Sequence, residues 1–142
     1  MRGKGEVTFI GVVEDAGELA RVRIFPEFCV GLQSLDRFSH IILLYWFHLR
    51  DTKEERNVLQ VIPRRHPGAP RVGVFSSRSP SRPNPIGLCV TKLVKLQDCT
   101  LQVRGLDASK GSPIVDIKPY IPRADSILDA RVPEWTSGGP QT

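Results

Sequence analysis

Between Asn57 and Gln97 the sequence contains no aspartate and no glutamate, while the same 41 residues carry Arg64, Arg65, Arg71, Arg78, Arg82, Lys92 and Lys95. The remainder holds 13 basic and 15 acidic residues, so the overall charge of +5 arises from one segregated stretch. A cationic third beside a mildly acidic remainder is the electrostatic footprint of a surface for an anion or a nucleic acid. A face charged only for solubility is the bland alternative, but solubility does not require the two signs to be kept apart.

Long apolar runs are also missing. The longest, "IILLYWF" (Ile41 to Phe47), falls far short of the ~20 residues that span a bilayer. The N-terminus lacks the uninterrupted apolar segment of about 7–15 residues found in a secretory signal. A cytoplasmic protein with no membrane contact is therefore expected. Cysteine is scarce. Cys29, Cys89 and Cys99 are odd in number, form no C-x-x-C pair and lie among apolar residues. They read as small buried hydrophobes rather than as a disulfide framework or metal site. No H-x-x-x-H spacing or Cys/His cluster is present, and no metal is expected. G-x-G-x-x-G, P-loop and G-x-S-x-G motifs are all absent, which leaves Rossmann, kinase and hydrolase readings without support.

What is there is β-rich. "EVTFIGVV" (Glu6 to Val13) and "ELARVRIF" (Glu18 to Phe25) are expected to pair across a turn at Glu14 to Gly17. "PEFCVGLQSLDRF" suits a short helix, with Pro26 in its first turn and Phe28, Leu32 and Leu35 at helical spacing. "SHIILLYWFHL" reads as a central strand buried on both faces, and "RDTKEERN" as a charged surface loop. "VLQVIP" and "RVGVF" read as strands around the basic connection "RRHPGAP". "GLCVTKLVKL" and "TLQVRGL" form a hairpin turning at Gln97 to Cys99, and "IVDIKPYIP" is a final strand. At 142 residues, enough to bury roughly 70% of the unfolded surface, the chain suits one domain. The expected fold is mainly β: a small single-domain, non-Rossmann β-barrel over residues 1–135 with one or two short helices, followed by a disordered tail at 136–142.

Two stretches carry chemistry. "FSSRSPSRPNPIGL" concentrates rigidity and positive charge in residues 75–88. Pro80, Pro83 and Pro85 fix their own φ and push Ser79, Arg82 and Asn84 toward extended geometry, so the loop is preset and loses little entropy when a ligand binds. Arg78 and Arg82 offer planar cationic forks, and Asn84 both a donor and an acceptor. A stiff turn whose arginines pair with acids elsewhere is the structural reading. In "DASKGSPIVDIKPY", Asp107 and Asp116 flank a glycine loop, with Lys118 and Tyr120 following on the strand. An Asp107 that bonds its own backbone, and a plain Asp116–Lys118 ion pair, are the alternatives to a functional role. Among the histidines, His40 suits a structural place and His66 an exposed one. His48, ending the apolar strand at the barrel rim, is the better site candidate.

"GVFSSRSPSRPNPIGL" followed by "LDASKGSPIVDIKPYIP" resembles the two signature stretches of the TsaA-like (TrmO) family. "IGVV", "FPEFCVGLQSLDRFSHIILLYWFH" and "DARVPEW" extend the resemblance over roughly Glu6 to Trp135. It implies a homodimeric β-barrel methyltransferase that uses S-adenosylmethionine and methylates N6 of threonylcarbamoyladenosine at position 37 of a tRNA. The implied cofactor contacts are His48, Leu49, Arg78, Leu88, Ala108, Ser109, Lys110 and Gly111, to which the loop chemistry adds Asn84. Asp116 is the expected proton acceptor, with Asp107 or Tyr120 as substitutes. Arg64, Arg65, Arg71 and Arg82 are expected on tRNA phosphates. Family members often carry "PRQPG" after the first strand, where this chain has the shorter "EDAGELARV". Many also continue into a further domain that helps to hold tRNA. A non-catalytic RNA-binding barrel, and a related methyltransferase with another acceptor, are the competing readings.

Overall fold

The structure, a computed structural model, describes residues 2–138. They form eight strands: β1 (Gly11–Asp15), β2 (Leu19–Ile24), β3 (His40–Trp46), β4 (Gln60–Val61), β5 (Val72–Gly73), β6 (Ile86–Gln97), β7 (Thr100–Arg104) and β8 (Pro113–Pro119). Six of them close a barrel in the order β1-β2-β7-β6-β3-β8, while β4 and β5 pair separately. The fold is mainly β, as expected. Two compact units divide the chain. One is the chain up to Trp46 with Leu88–Tyr120, and the other is Phe47–Gly87 with the chain from Ile121 onward.

In the first unit, alternation builds the barrel interior. β2 buries Ala20, Val22 and Ile24 and exposes the residues between them, and β3 buries Ile41, Leu43 and Tyr45. Leu101, Val103 and Ile114 complete a core with almost no solvent contact. Each such side chain contributes roughly 1.5–3 kcal/mol relative to an exposed one. The expectation that β3 is buried on both faces is corrected, because Ile42 and Leu44 on its outer face are only partly covered. β1 begins at Gly11 rather than Glu6, although Ile10 still donates to the Ile114 carbonyl at 2.9 Å. The residues expected as a helix form 3₁₀ turns at Pro26–Leu32 and Leu35–Arg37.

The β6–β7 hairpin turns at Asp98 and Cys99, whose φ angles of 52° and 60° suit the primed two-residue connection that follows the right-handed twist of its strands. That turn corrects the cysteine reading. Cys29 and Cys99 form a disulfide, with their Cα atoms 5.4 Å apart, and only Cys89 is a buried free thiol. Seventy residues apart in sequence, the two cysteines meet because the hairpin tip folds back onto the first 3₁₀ turn. Sequence spacing carries no trace of such a meeting.

The second unit holds the β4–β5 pair, a helical turn α1 (Lys53–Arg56), a second helical turn α2 (Pro122–Asp125) and a 3₁₀ turn at Glu134–Thr136. α1 lies inside the expected charged loop. The Thr52 hydroxyl accepts from the Glu55 N–H at 3.2 Å, one half of a capping box. Of the expected tail, Thr136 belongs to the 3₁₀ turn and residues 139–142 lie outside the described residues.

Candidate functional site

In the second unit the proline–arginine loop braces itself. The Ser77 hydroxyl donates to the Val74 carbonyl at 3.0 Å and accepts from the Ser79 N–H at 3.3 Å. The Ser79 hydroxyl accepts from the Ser81 N–H at 3.2 Å. Serines at every second position thus satisfy the donors that the prolines leave without helix or ladder partners. Arg82 turns inward, its Nη1 donating to the carbonyls of Ser77 (3.1 Å) and Ser79 (3.0 Å).

Segment 47–56 holds the other side of this loop. The Phe47 N–H donates to the Pro85 carbonyl at 2.7 Å, and Arg56 Nε donates to the Pro83 carbonyl at 2.8 Å. The buried Ser81 hydroxyl donates to the Glu55 carboxylate, and Arg50 donates to the Ser81 oxygen at 3.2 Å. The Ser81 hydrogen bond holds the Glu55 carboxyl below its ordinary value; burial opposes it in part, and the Arg50 cation adds a lesser pull in the same direction as Ser81. β3 stops at Trp46, so His48 opens a 3₁₀ turn, His48–Arg50, rather than ending the strand, and Leu49 beside it is exposed. Arg78 and Asn84 are exposed on the braced loop, and Arg78 makes no ion pair among the described residues. Arg64, Arg65 and Arg71 are also exposed in this unit.

The second signature stretch lies in the first unit. The buried Tyr45 hydroxyl donates to the Asp107 carbonyl at 2.7 Å and anchors the start of the loop. At its far end, the Ser112 N–H and hydroxyl both reach the Ser109 carbonyl (3.1 and 2.7 Å), and the Gly111 N–H donates to the Val13 carbonyl at 2.8 Å. Ala108, Ser109, Lys110 and Gly111 therefore form a short arch pinned on both sides, with Lys110 exposed at its corner. Leu88, on the outer face of β6, is exposed. Asp116 accepts from the Ile117 N–H through Oδ1 (2.9 Å) and pairs with Lys118 through Oδ2 (3.1 Å), both side chains being about half exposed. Tyr120 follows directly after β8, and its N–H donates to the His40 carbonyl at 3.1 Å.

Sequence reasoning passed over Tyr45, Arg50, Glu55, Arg56 and Ser81, the groups that position these loops. Only the T-x-x-E of "TKEE" and the serine alternation were visible signals.

A family profile described as the tRNA-methyltransferase O N-terminal domain matches residues 12–126. The chain belongs to the TrmO family. A probable S-adenosyl-L-methionine-binding protein of Methanothermobacter thermautotrophicus is 48% identical over 112 residues, covering 79% of this chain and 77% of the relative. An S-adenosyl-L-methionine-binding protein of Archaeoglobus fulgidus is 44% identical over 110 residues, covering 77% and 74%. The crystal structure of TrmO from Pseudomonas aeruginosa matches with a TM-score of 0.70 at 27% identity, over 91% of this chain and 61% of that one. A further TrmO crystal structure gives 0.72 at 29%, over 92% and 64%. The chain thus spans less than two thirds of these solved TrmO chains. Among the described residues no group of three or more His, Cys, Asp or Glu is placed to hold a metal ion, and no helix is long and apolar enough to cross a membrane.

Proposed function

We propose that the protein is an S-adenosylmethionine-dependent methyltransferase acting on N6 of threonylcarbamoyladenosine at position 37 of tRNA. The observation that carries this reading is the braced loop, which leaves Arg78 exposed and without an acidic partner among the described residues. Its chemistry suits the cofactor: Arg78 for the carboxylate, the Asn84 amide for adenine or ribose, and an exposed apolar Leu88. His48, Leu49 and the arch Ala108, Ser109, Lys110 and Gly111 complete the proposed contacts. The bound cofactor would supply an electrophilic methyl group. The chain's own work is then positioning, since in-line transfer depends on alignment of donor and acceptor. Asp116 accepts the hydrogen bond of the target amine and takes its proton, and Asp107 or Tyr120 fills that role if Asp116→Asn retains activity. Arg64, Arg65 and Arg71 engage tRNA phosphates, and Arg82 does so through the guanidinium nitrogens not spent on the loop.

A cytoplasmic homodimer belongs to the same reading. Leu49 (69% exposed) and Phe75 (79%) are apolar surface that such a contact would cover. Calorimetric titration with S-adenosylmethionine tests the cofactor. Arg78→Ala should weaken binding roughly 10- to 100-fold, the worth of a charge-assisted hydrogen bond. Methyl transfer to tRNA with and without the threonylcarbamoyl group tests the acceptor. An absence of cofactor binding both alone and with tRNA would sink the reading.

A further inference from the structure

The second unit carries an open surface pocket of about 500 Å³ lined by Pro67, Gly68, Glu134, Trp135 and Gly138, of which Trp135 alone is half-buried among these described residues. Glu134 and Trp135 lie beyond the stretch matched by the family profile. The volume falls in the range of small-ligand sites. One wall is a pair of successive turns. The His66 N–H donates to the Pro63 carbonyl at 3.3 Å, and the Ala69 N–H to the His66 carbonyl at 3.0 Å. With Pro67 followed by Gly68 at φ 80°, the second is a type II turn, whose third position favours glycine. The other wall is the 3₁₀ turn bearing Trp135, stiffened by Thr136, whose N–H and hydroxyl both donate to the Pro133 carbonyl (3.1 and 2.8 Å). His66, expected to be merely exposed, is half-buried and meets Trp135 edge-on, with centroids 5.5 Å and planes 74° apart. Its Nδ1 is buried without a hydrogen-bond partner among the described residues, so packing alone fixes this pair.

We propose that this pocket receives one unpaired nucleobase of the RNA, stacked on Trp135, with the Glu134 carboxylate accepting its N–H donors. The inference rests on the reading of RNA as substrate and names a contact away from the reacting adenosine. An indole held by its neighbour is a stacking platform that needs no ordering on binding. Glu134 is the one acid in the lining among the described residues, whereas Arg64 and Arg65 stand exposed on the first turn and Arg71 just beyond the second. The charges divide the work: arginines suit phosphates, and a carboxylate suits amino and imino hydrogens. Guanine, with two adjacent donors on its pairing edge, fits best. Uracil fits least.

The test titrates the protein carrying Trp46→Phe, which leaves Trp135 as its one tryptophan, with short uridine-rich RNAs, with or without a single guanosine, following tryptophan emission and the anisotropy of labelled RNA. The guanosine-bearing RNA should bind more tightly and quench emission. Trp135→Ala should weaken binding roughly 5- to 100-fold, as expected for loss of one stacked base, while Trp135→Phe keeps most of the affinity. Glu134→Gln should erase the preference for guanosine and leave all-uridine binding unchanged. The melting temperature of Trp135→Ala is taken first; if that variant unfolds, the quench and Glu134→Gln decide. Unchanged affinity and base preference in folded variants overturn the base site alone, and the methyltransferase reading then stands on cofactor binding. Cofactor binding without any RNA binding removes the base site together with the RNA half of that reading.

Discussion

At the scale of single residues, Thr91 and Glu55 show how polar groups behave once covered. Thr91 is 1% exposed, and its hydroxyl has no partner among the described residues. Thr91→Val keeps the shape and removes a desolvated hydroxyl, so stability in urea should rise by about 1 kcal/mol. A fall would mean that the hydroxyl is satisfied by buried water. Glu55 behaves in the opposite sense, because its carboxylate is the partner that Ser81 and Arg50 require. Its folded pKa lies below the ordinary 4.5, so its contribution is fully present above that value and disappears as pH falls through the lower folded value. The urea midpoint of the wild type should therefore drop below about pH 4.5, and that of Glu55→Gln should drop less over the same interval. Equal acid sensitivity would remove Glu55 as the brace of the loop.

At the scale of elements, β1 and β2 pair as their alternation suggests, from Gly11 opposite Ile24 to Asp15 opposite Arg21. The place where this ribbon admits no side chain is Gly11. A Cβ there would collide with the Arg23 carbonyl and lie 2.8 Å from Ile24 Cδ1. Gly11→Ala should cost roughly 1–3 kcal/mol, read as a lower denaturation midpoint. Alternation made β2, β6 and β7 legible, because period two survives wherever one face is wet and the other buried. The 26–38 segment was less legible. Helical spacing of Phe28, Leu32 and Leu35 fits a 3₁₀ turn almost as well as an α-helix when the piece is this short. α1 was missed for a related reason, since four polar residues present no apolar stripe and its capping box was the sole cue.

At the scale of the whole molecule, the Cys29–Cys99 bridge closes a covalent loop with a sequence separation of 70. Restricting the unfolded chain over that length is worth about 4 kcal/mol in the loop-entropy account. Reduction, or the Cys29→Ser and Cys99→Ser pair, should lower the denaturation midpoint accordingly, and an unchanged midpoint would show that the bridge does not persist in solution. Composition and pattern by themselves determined the β class, the closed sheet without a Rossmann crossover, the cationic stretch and the two loops that carry the family resemblance. These are properties of residue type and short-range order, and a single chain displays them without folding. Tertiary structure alone decided the cysteine pairing, the inward turn of Arg82, the Tyr45 anchor of the second loop and the meeting of His66 with Trp135. Each joins groups far apart in sequence, or selects one of several rotamers, and the choice depends on which buried donors and acceptors remain to be satisfied once the backbone is in place.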